Sequence, residues 1–364
     1  MPQLILSTCG TSLLTNVAGE QRGLITRYAN TKAAQHVPEN DRQALETIIK
    51  RATEKLQQDP LTEQKIGSAE INGIACYYHD QLQASQDTHW LLATDTWLGT
   101  ATAEAIRTAL EQAGHVVEVK RITDLRTNNL EEFRSAMSEL ARLCTQEIDG
   151  LRQGGWRVIF NLTGGFKSVQ GFMQALGMLY ADENIYVFER TNELLRLPKL
   201  PVALDMAALL RAHSGVFRRI AAGLPVPSNA VSDVPSSLMM EMDGEATFSV
   251  WGEVIWQAES RALLQERLWP PIDSRLRFSA AFEKAAQTCE PDRLRMLNER
   301  LAQLARHLNN PEYNPPSLDF KKLKGKHAPW THECDAWADR DAKRLFGHFE
   351  ESVFVIDELA KGLH

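Results

Sequence analysis

Three short apolar runs constrain the fold more than any other feature of this chain. "QLILST" (3–8), "HWLLATDT" (89–96) and "WRVIFNLTGG" (156–165) each end in small polar residues. Buried parallel strands read this way when the loops at their carboxyl ends hold a ligand. Helical patterns lie between them: "DRQALETIIKRATEKLQ", "TATAEAIRTALEQAG" and "NLEEFRSAMSELARLCTQEIDGL". Strands alternating with helices predict a doubly wound α/β domain. "ENIYVFER" (183–190) follows a helix whose apolar face is Val169, Phe172, Met173, Leu176 and Tyr180. "ELLRLPKLPVALD" then closes the unit, its prolines suiting an edge strand.

The loops after the three runs carry the candidate binding residues. Thr8, Gly10, Thr11 and Ser12 follow the first run, and Asp95 and Thr96 follow the second. Asn161, Thr163, Gly164, Gly165, Lys167 and Ser168 follow the third. That last loop is not a nucleotide-triphosphate P-loop, because Phe166 separates Gly165 from Lys167. It does set two glycines and a lysine at a helix start, where backbone N–H groups and the helix dipole favour an anion. A solvated lysine after a tight turn would read the same way. Three hydroxyl- and glycine-rich loops together suit a phosphate-bearing ligand with hydroxyls and base edges. No general base, nucleophile or metal cluster accompanies them, so the site reads as one for binding.

Beyond residue 210 the texture changes. "LPVPSNAVSDVPSS" (224–237) reads as a linker or irregular wing, "LMMEMDGEATFSV" as a hairpin around Asp243-Gly244, and "WGEVIWQAESRALLQERL" as a helix. Residues 211–272 are thus expected to form a small helical or winged-helix module. From 273 to 364, two helical stretches ("SRLRFSAAFEKAAQT" and "PDRLRMLNERLAQLARHLNN") precede strand-like "LDFKKLKG", "THECDAW", "KRLFGHFE" and "SVFVIDEL", an α+β domain. The formal charge of −7 arises before residue 273, since 273–364 holds 15 Lys+Arg against 15 Asp+Glu. A net-acidic chain of this kind can still meet RNA through one basic patch. Five cysteines without CxxC spacing fit a reducing cytoplasm, and no apolar stretch is long enough for a membrane helix. The chain is expected to be cytoplasmic.

"LILSTCGTSLLTN", "LLATDTWLGTATA", "FNLTGGFKS" and "YVFERTNELLRLPKLPVALD", in this order over residues 1–210, resemble the CRISPR-associated Rossmann fold (CARF) sensor domains. The resemblance implies a homodimer binding a cyclic oligoadenylate, with cyclic tetra-adenylate the expected ring, across the dimer interface. The loop residues named above would be its site, with no other cofactor and no metal. Phe166 stands where many relatives have threonine.

The order of elements in 273–364, a Lys-rich strand, "KRLFGHFE" and a final histidine resemble the RelE-like mRNA interferases. These cut mRNA on the ribosome by turning the ribose 2′-OH into a nucleophile, without a metal. On that resemblance Arg344 would stabilise charge on the phosphate and His364 would be the general acid. Lys322 and Lys324 would neutralise the phosphate; apart from the resemblance, His327, His332 and His348 are further candidates to contribute. The expected activity is a cyclic-oligoadenylate-activated, ribosome-dependent mRNA endoribonuclease of type III CRISPR antiviral defence that shuts down translation, with ribosome and mRNA as partners. One alternative is a HEPN-type ribonuclease acting on free RNA through Arg300 and His307, seven residues apart on one helical face. Another is a transcription regulator whose helix at 251–268 enters DNA, although Glu253, Glu259 and Glu266 there oppose a phosphate backbone.

Overall fold

The computed structural model describes residues 1–58, 67–79, 87–123, 125, 130–165, 167–188, 193–199, 201, 205–324 and 329–362. They form two units, Met1–Val202 and Ala203–His364. The boundary drawn from sequence at residue 210 falls inside a helix of the second unit, Met206–Ala212.

The first unit is built on a six-stranded sheet of β1 (Gln3–Thr8), β2 (Thr88–Thr94), β3 (Val116–Ile122), β4 (Arg157–Asn161), β5 (Glu183–Val187) and β6 (Leu194–Pro198), in the order β3-β2-β1-β4-β5-β6. The first five are mutually parallel and β6 returns antiparallel at the edge, ending on Pro198. Leu4, Ile5 and Leu6, like Val158, Ile159 and Phe160, are fully buried, which is why these strands read as unbroken apolar runs. The helices are α1 (Ser12–Ala18), α2 (Arg22–Tyr28), α3 (Glu39–Gln58), α4 (Ala69–Tyr77), α5 (Trp97–Gln112), α6 (Leu130–Arg142), α7 (Asp149–Gln153) and α8 (Lys167–Tyr180). Ile5, Leu91, Ile159 and Ile185 share one core with α1, α3, α4 and α5. Strand alternation turns Leu4, Leu6 and Phe160 to the opposite face.

Within β2, His89 is fully buried with Nδ1 unpartnered among the described residues. Its Nε2 stands 3.4 Å from the Tyr78 hydroxyl, which donates to Asp87, and the ring meets His115 edge-on at 4.9 Å. Burial pushes its pKa down to about 3, and burial lowers His115 in the same direction. A histidine held neutral contributes its full stability above its unfolded pKa, and that contribution is lost as pH falls below it. Moving from neutral pH to about pH 5 is therefore expected to cost roughly 2 kcal/mol through His89. Urea unfolding at both pH values should show the loss, and His89→Phe should remove most of it.

In the second unit, α9 (Met206–Ala212), α10 (Ser214–Ala221), the hairpin β7 (Met239–Met242) and β8 (Glu245–Phe248), and α11 (Val250–Glu266) share a core that includes Leu210, Phe217, Leu238, Ile255 and Trp269. The hairpin turns at Asp243-Gly244 with φ of 52° and 83°, the doubly left-handed turn that the dipeptide favours. Strand β9 (Leu276–Phe278), α12 (Ala280–Ala286), α13 (Pro291–Asn309), β10 (Lys321–Lys322), β11 (His332–Trp337), β12 (Lys343–Glu350) and β13 (Val353–Ala360) complete the unit. The sheet order is β10-β11-β12-β13-β9, antiparallel except for the parallel pair β13–β9. The helix expected from Ser274 starts only at Ala280. Residues 276–278 instead form a strand, because Phe354, Val355 and Ile356 offer them a distant parallel partner.

Candidate functional site

From β1 the chain builds outward to β2 and β3, then returns to lay β4 on the other flank of β1. Consecutive connections thus diverge between β1 and β4, and the crevice beyond their carboxyl ends is where open α/β sheets take ligands. The loops that follow these two strands are locked together. Thr8 Oγ1 donates to the Gly164 carbonyl at 2.5 Å. A Cβ on Gly10 would stand 3.2 Å from Gly165 Cα, and one on Gly165, at φ 103°, would stand 2.9 Å from Thr8 Cβ. The glycines here let two backbones meet, which is a different need from the close approach of a ligand.

Glu70, from the first turn of α4, supports both loops from inside. Its Oε1 accepts the Gly10 N–H at 2.9 Å, and its Oε2 accepts the hydroxyls of Ser68 at 2.8 Å and Ser12 at 3.4 Å. A Cβ on Gly164 would come within 2.3 Å of Glu70 Oε1. Burial raises the carboxyl's pKa, opposed by the hydrogen bond from Gly10. Asn161, also fully buried, donates to Ser7 Oγ at 3.1 Å and to the Glu70 carbonyl at 2.9 Å, and accepts the Thr163 hydroxyl at 2.8 Å. Gln170 of α8 donates to the carbonyls of Leu162 and Gly164.

The structure gives the predicted binding residues several different places. Thr8, Asn161 and Thr96 are buried and hold backbone in place, Thr96 by capping α5 at the Gly99 N–H. Gly10, Gly164 and Gly165 are the loop contact itself. Thr11, Ser12 and Thr163 are only half-buried at the crevice, and Asp95 pairs with Lys32 at 3.4 Å. Lys167 begins α8, but its side chain and that of Ser168 lie outside the described residues, as does Phe166. Glu70 was missed by motif reading, although a lone acid in "GSAEINGIACYY" was its signal.

In the second unit the sheet separates the expected catalytic group. Register aligns Lys322 with His332 and Gly347, and Lys321 with Glu333 and Phe346. Lys322 thus shares a face with His332, which packs on Phe320, Phe349 and Phe354, while Arg344 and His348 lie on the other face. Arg344, 11% exposed, donates to Glu333 at 2.8 Å and Asp319 at 2.5 Å and pairs with Asp335 at 2.7 Å. Its guanidinium is committed to three carboxylates. His348 Nδ1 pairs with Asp357 Oδ2 at 2.7 Å and Nε2 faces Glu350 at 3.4 Å, so its pKa is raised, first by the bond to Asp357. Lys324 is exposed just beyond β10, and His364 lies outside the described residues. Arg300 bonds to Gln303, and His307 Nδ1 sits 2.9 Å from the Tyr313 carbonyl, so the two form no pair in these contacts. The five-stranded sheet beside them is at odds with an all-helical HEPN domain. Among the described residues no group of three or more His, Cys, Asp and Glu could hold a metal ion, and no helix is long and apolar enough to cross a membrane.

A sequence search of curated proteins finds no match. Among solved structures, Can2 from Sulfobacillus thermosulfidooxidans, described in complex with cyclic tetra-adenylate (cA4), aligns over 100% of this chain and 80% of its own, at 11% identity and a TM-score of 0.24. At that score no residue role passes from one chain to the other. The family model described as CRISPR-associated protein (Cas_APE2256) matches residues 65–200, the stretch that holds Glu70, β2 to β6 and the Thr163-Gly164-Gly165 turn.

Proposed function

We propose that the chain is a CRISPR-associated effector whose first unit binds a cyclic oligoadenylate, cyclic tetra-adenylate foremost, as a homodimer. In this reading the second unit is the ribonuclease that the ligand controls. The observation that carries it is the interlocked β1/β4 crevice, most of whose supports lie inside the stretch matched by the CRISPR-associated family model. The crevice offers half-buried hydroxyls and a helix start beside two loops that cannot move apart independently.

For the second unit, the RelE-like reading rests on two helices followed by a small sheet, and on the His348–Asp357 pair. A histidine whose pKa is raised by a hydrogen-bonded carboxylate suits a general acid. In RNA cleavage the 2′-hydroxyl gives up its proton to water as its oxygen attacks the adjacent phosphorus, the bond to the 5′-oxygen breaks, and His348 supplies that oxygen's proton. A 2′,3′-cyclic phosphate remains on the upstream fragment. Arg344 would meet the phosphate only after exchanging a carboxylate partner for it, a step that ligand binding in the first unit can bias if the ligand prefers one arrangement.

Two measurements test this. Calorimetric titration of the full chain with cyclic tetra-adenylate should show uptake, lost in Lys167→Ala. Translating ribosomes with mRNA should yield cut transcripts only when the ligand is present, and His348→Gln should lower the rate about 100-fold or more. Absence of uptake would sink the sensor reading, and cutting of naked RNA at equal rate would replace the ribosome-dependent reading with a free-RNA one.

A further inference from the structure

Between α10, α11 and α13 lies a cavity of about 300 Å³. Arg218, Arg306, Ser260, Gln303, Trp256 and Tyr313 line it. Arg218 is only 5% exposed. Its Nη1 donates to the Pro270 carbonyl at 2.9 Å and its guanidinium lies 5.9 Å from the Trp269 ring. Burial lowers its pKa to about 10. Arg306 lies across the Tyr313 ring at 4.1 Å. Among the described residues neither arginine is paired with a carboxylate. The one carboxylate lining the cavity, Glu299, is held by Arg295 at 2.7 Å.

A buried cation without a counter-ion is costly, and an anion entering the cavity would relieve that cost. Two arginines lining one space suit a phosphate, which Arg recognises through paired N–H donors. The rest of the lining suits what a phosphate carries in a nucleotide. Trp256 offers an aromatic face, and Ser260 and Gln303 offer donors and acceptors for a sugar or base edge. The volume is at the lower end of small-ligand sites, enough for one nucleotide. We infer that this cavity is a second ligand site, independent of the β1/β4 crevice, and that it takes a nucleoside monophosphate with the phosphate on Arg218 and Arg306 and the base against Trp256.

Calorimetric titration of the full chain with adenosine 5′-monophosphate, uridine 5′-monophosphate and inorganic phosphate tests it. A nucleoside monophosphate should bind at one site per chain. Arg306→Gln should weaken it about tenfold or more, and Trp256→Leu should weaken it while leaving any uptake of phosphate alone unchanged. Circular dichroism should show both variants folded, since Arg306 and Trp256 are only half-buried. Lys167→Ala, in the other unit, should leave this uptake intact. The inference is overturned if no monophosphate binds at millimolar concentration or if Arg306→Gln makes no difference. It is equally overturned if Lys167→Ala abolishes the binding, or if phosphate alone binds as well as the nucleotides do.

Discussion

Glu70→Ala is expected to lower the melting temperature of the first unit by about 10 °C, a loss of roughly 3 kcal/mol, and to abolish ligand uptake at the β1/β4 crevice. The physical reason is the asymmetry of buried hydrogen bonds: the change leaves the Gly10 N–H and the Ser68 hydroxyl without their acceptor in a site that water does not reach. It also opens a void beside Gly164, whose missing Cβ shows how tightly the carboxylate fits. Glu70→Gln separates shape from charge. An amide keeps one oxygen for Gly10 and can donate to the serine hydroxyls, which rotate to accept, so the cost should stay near 1 kcal/mol. Thermal melts by circular dichroism and calorimetry on both variants check this. An Ala variant that melts like the parent would show that the loops are held by something else.

Arg344→Ala is expected to destabilise the second unit by about 3 kcal/mol, in addition to any effect on cleavage. The guanidinium is the cation shared by Asp319, Glu333 and Asp335, and Glu333 is 7% exposed. Its removal leaves three carboxylates facing one another with, among the described residues, Lys321 paired to two of them, 2.5 Å from Asp319 and 3.9 Å from Glu333. Protonation discharges such a cluster, so the deficit of the variant against the parent should shrink as pH is lowered toward about 4.5. Arg344→Lys keeps the charge but not the fork that spans Glu333 and Asp319, and should recover about half the loss. Urea midpoints of the three proteins at neutral and acidic pH decide the matter. A gap that is independent of pH would rule out carboxylate repulsion as its cause. The same measurement separates a catalytic defect from a folding defect when Arg344 variants fail to cut RNA.

What could be read from sequence follows from how local each cue is. β1, β2 and β4 were legible because strands covered on both faces are apolar at every position, as Leu4, Ile5 and Leu6 are. β3 was not, because an edge strand carrying Glu118, Lys120 and Arg121 has no such run. The Asp243-Gly244 hairpin was legible from its dipeptide alone. β9 was hidden inside a helix-like sequence because its partner, Val353–Ala360, lies far along the chain. The face on which Lys322 lies depends on register, and a slip of one residue would have put it on the face that carries Arg344. Arg344 was picked out by the RelE-like resemblance, but the carboxylates that occupy it come from Asp319 and β11, which no spacing in "KRLFGHFE" reveals.

The contact of Gly10 with Gly165 carries a mechanical consequence. A Cβ on Gly165 would collide with Thr8 and one on Gly10 would press on Gly165, so the two turns are packed to move together, with the Glu70 carboxylate bonded to Gly10 and set against Gly164. Force applied at either turn must be delivered to α4 as well, so occupancy of the crevice can be sensed by a helix that touches no ligand.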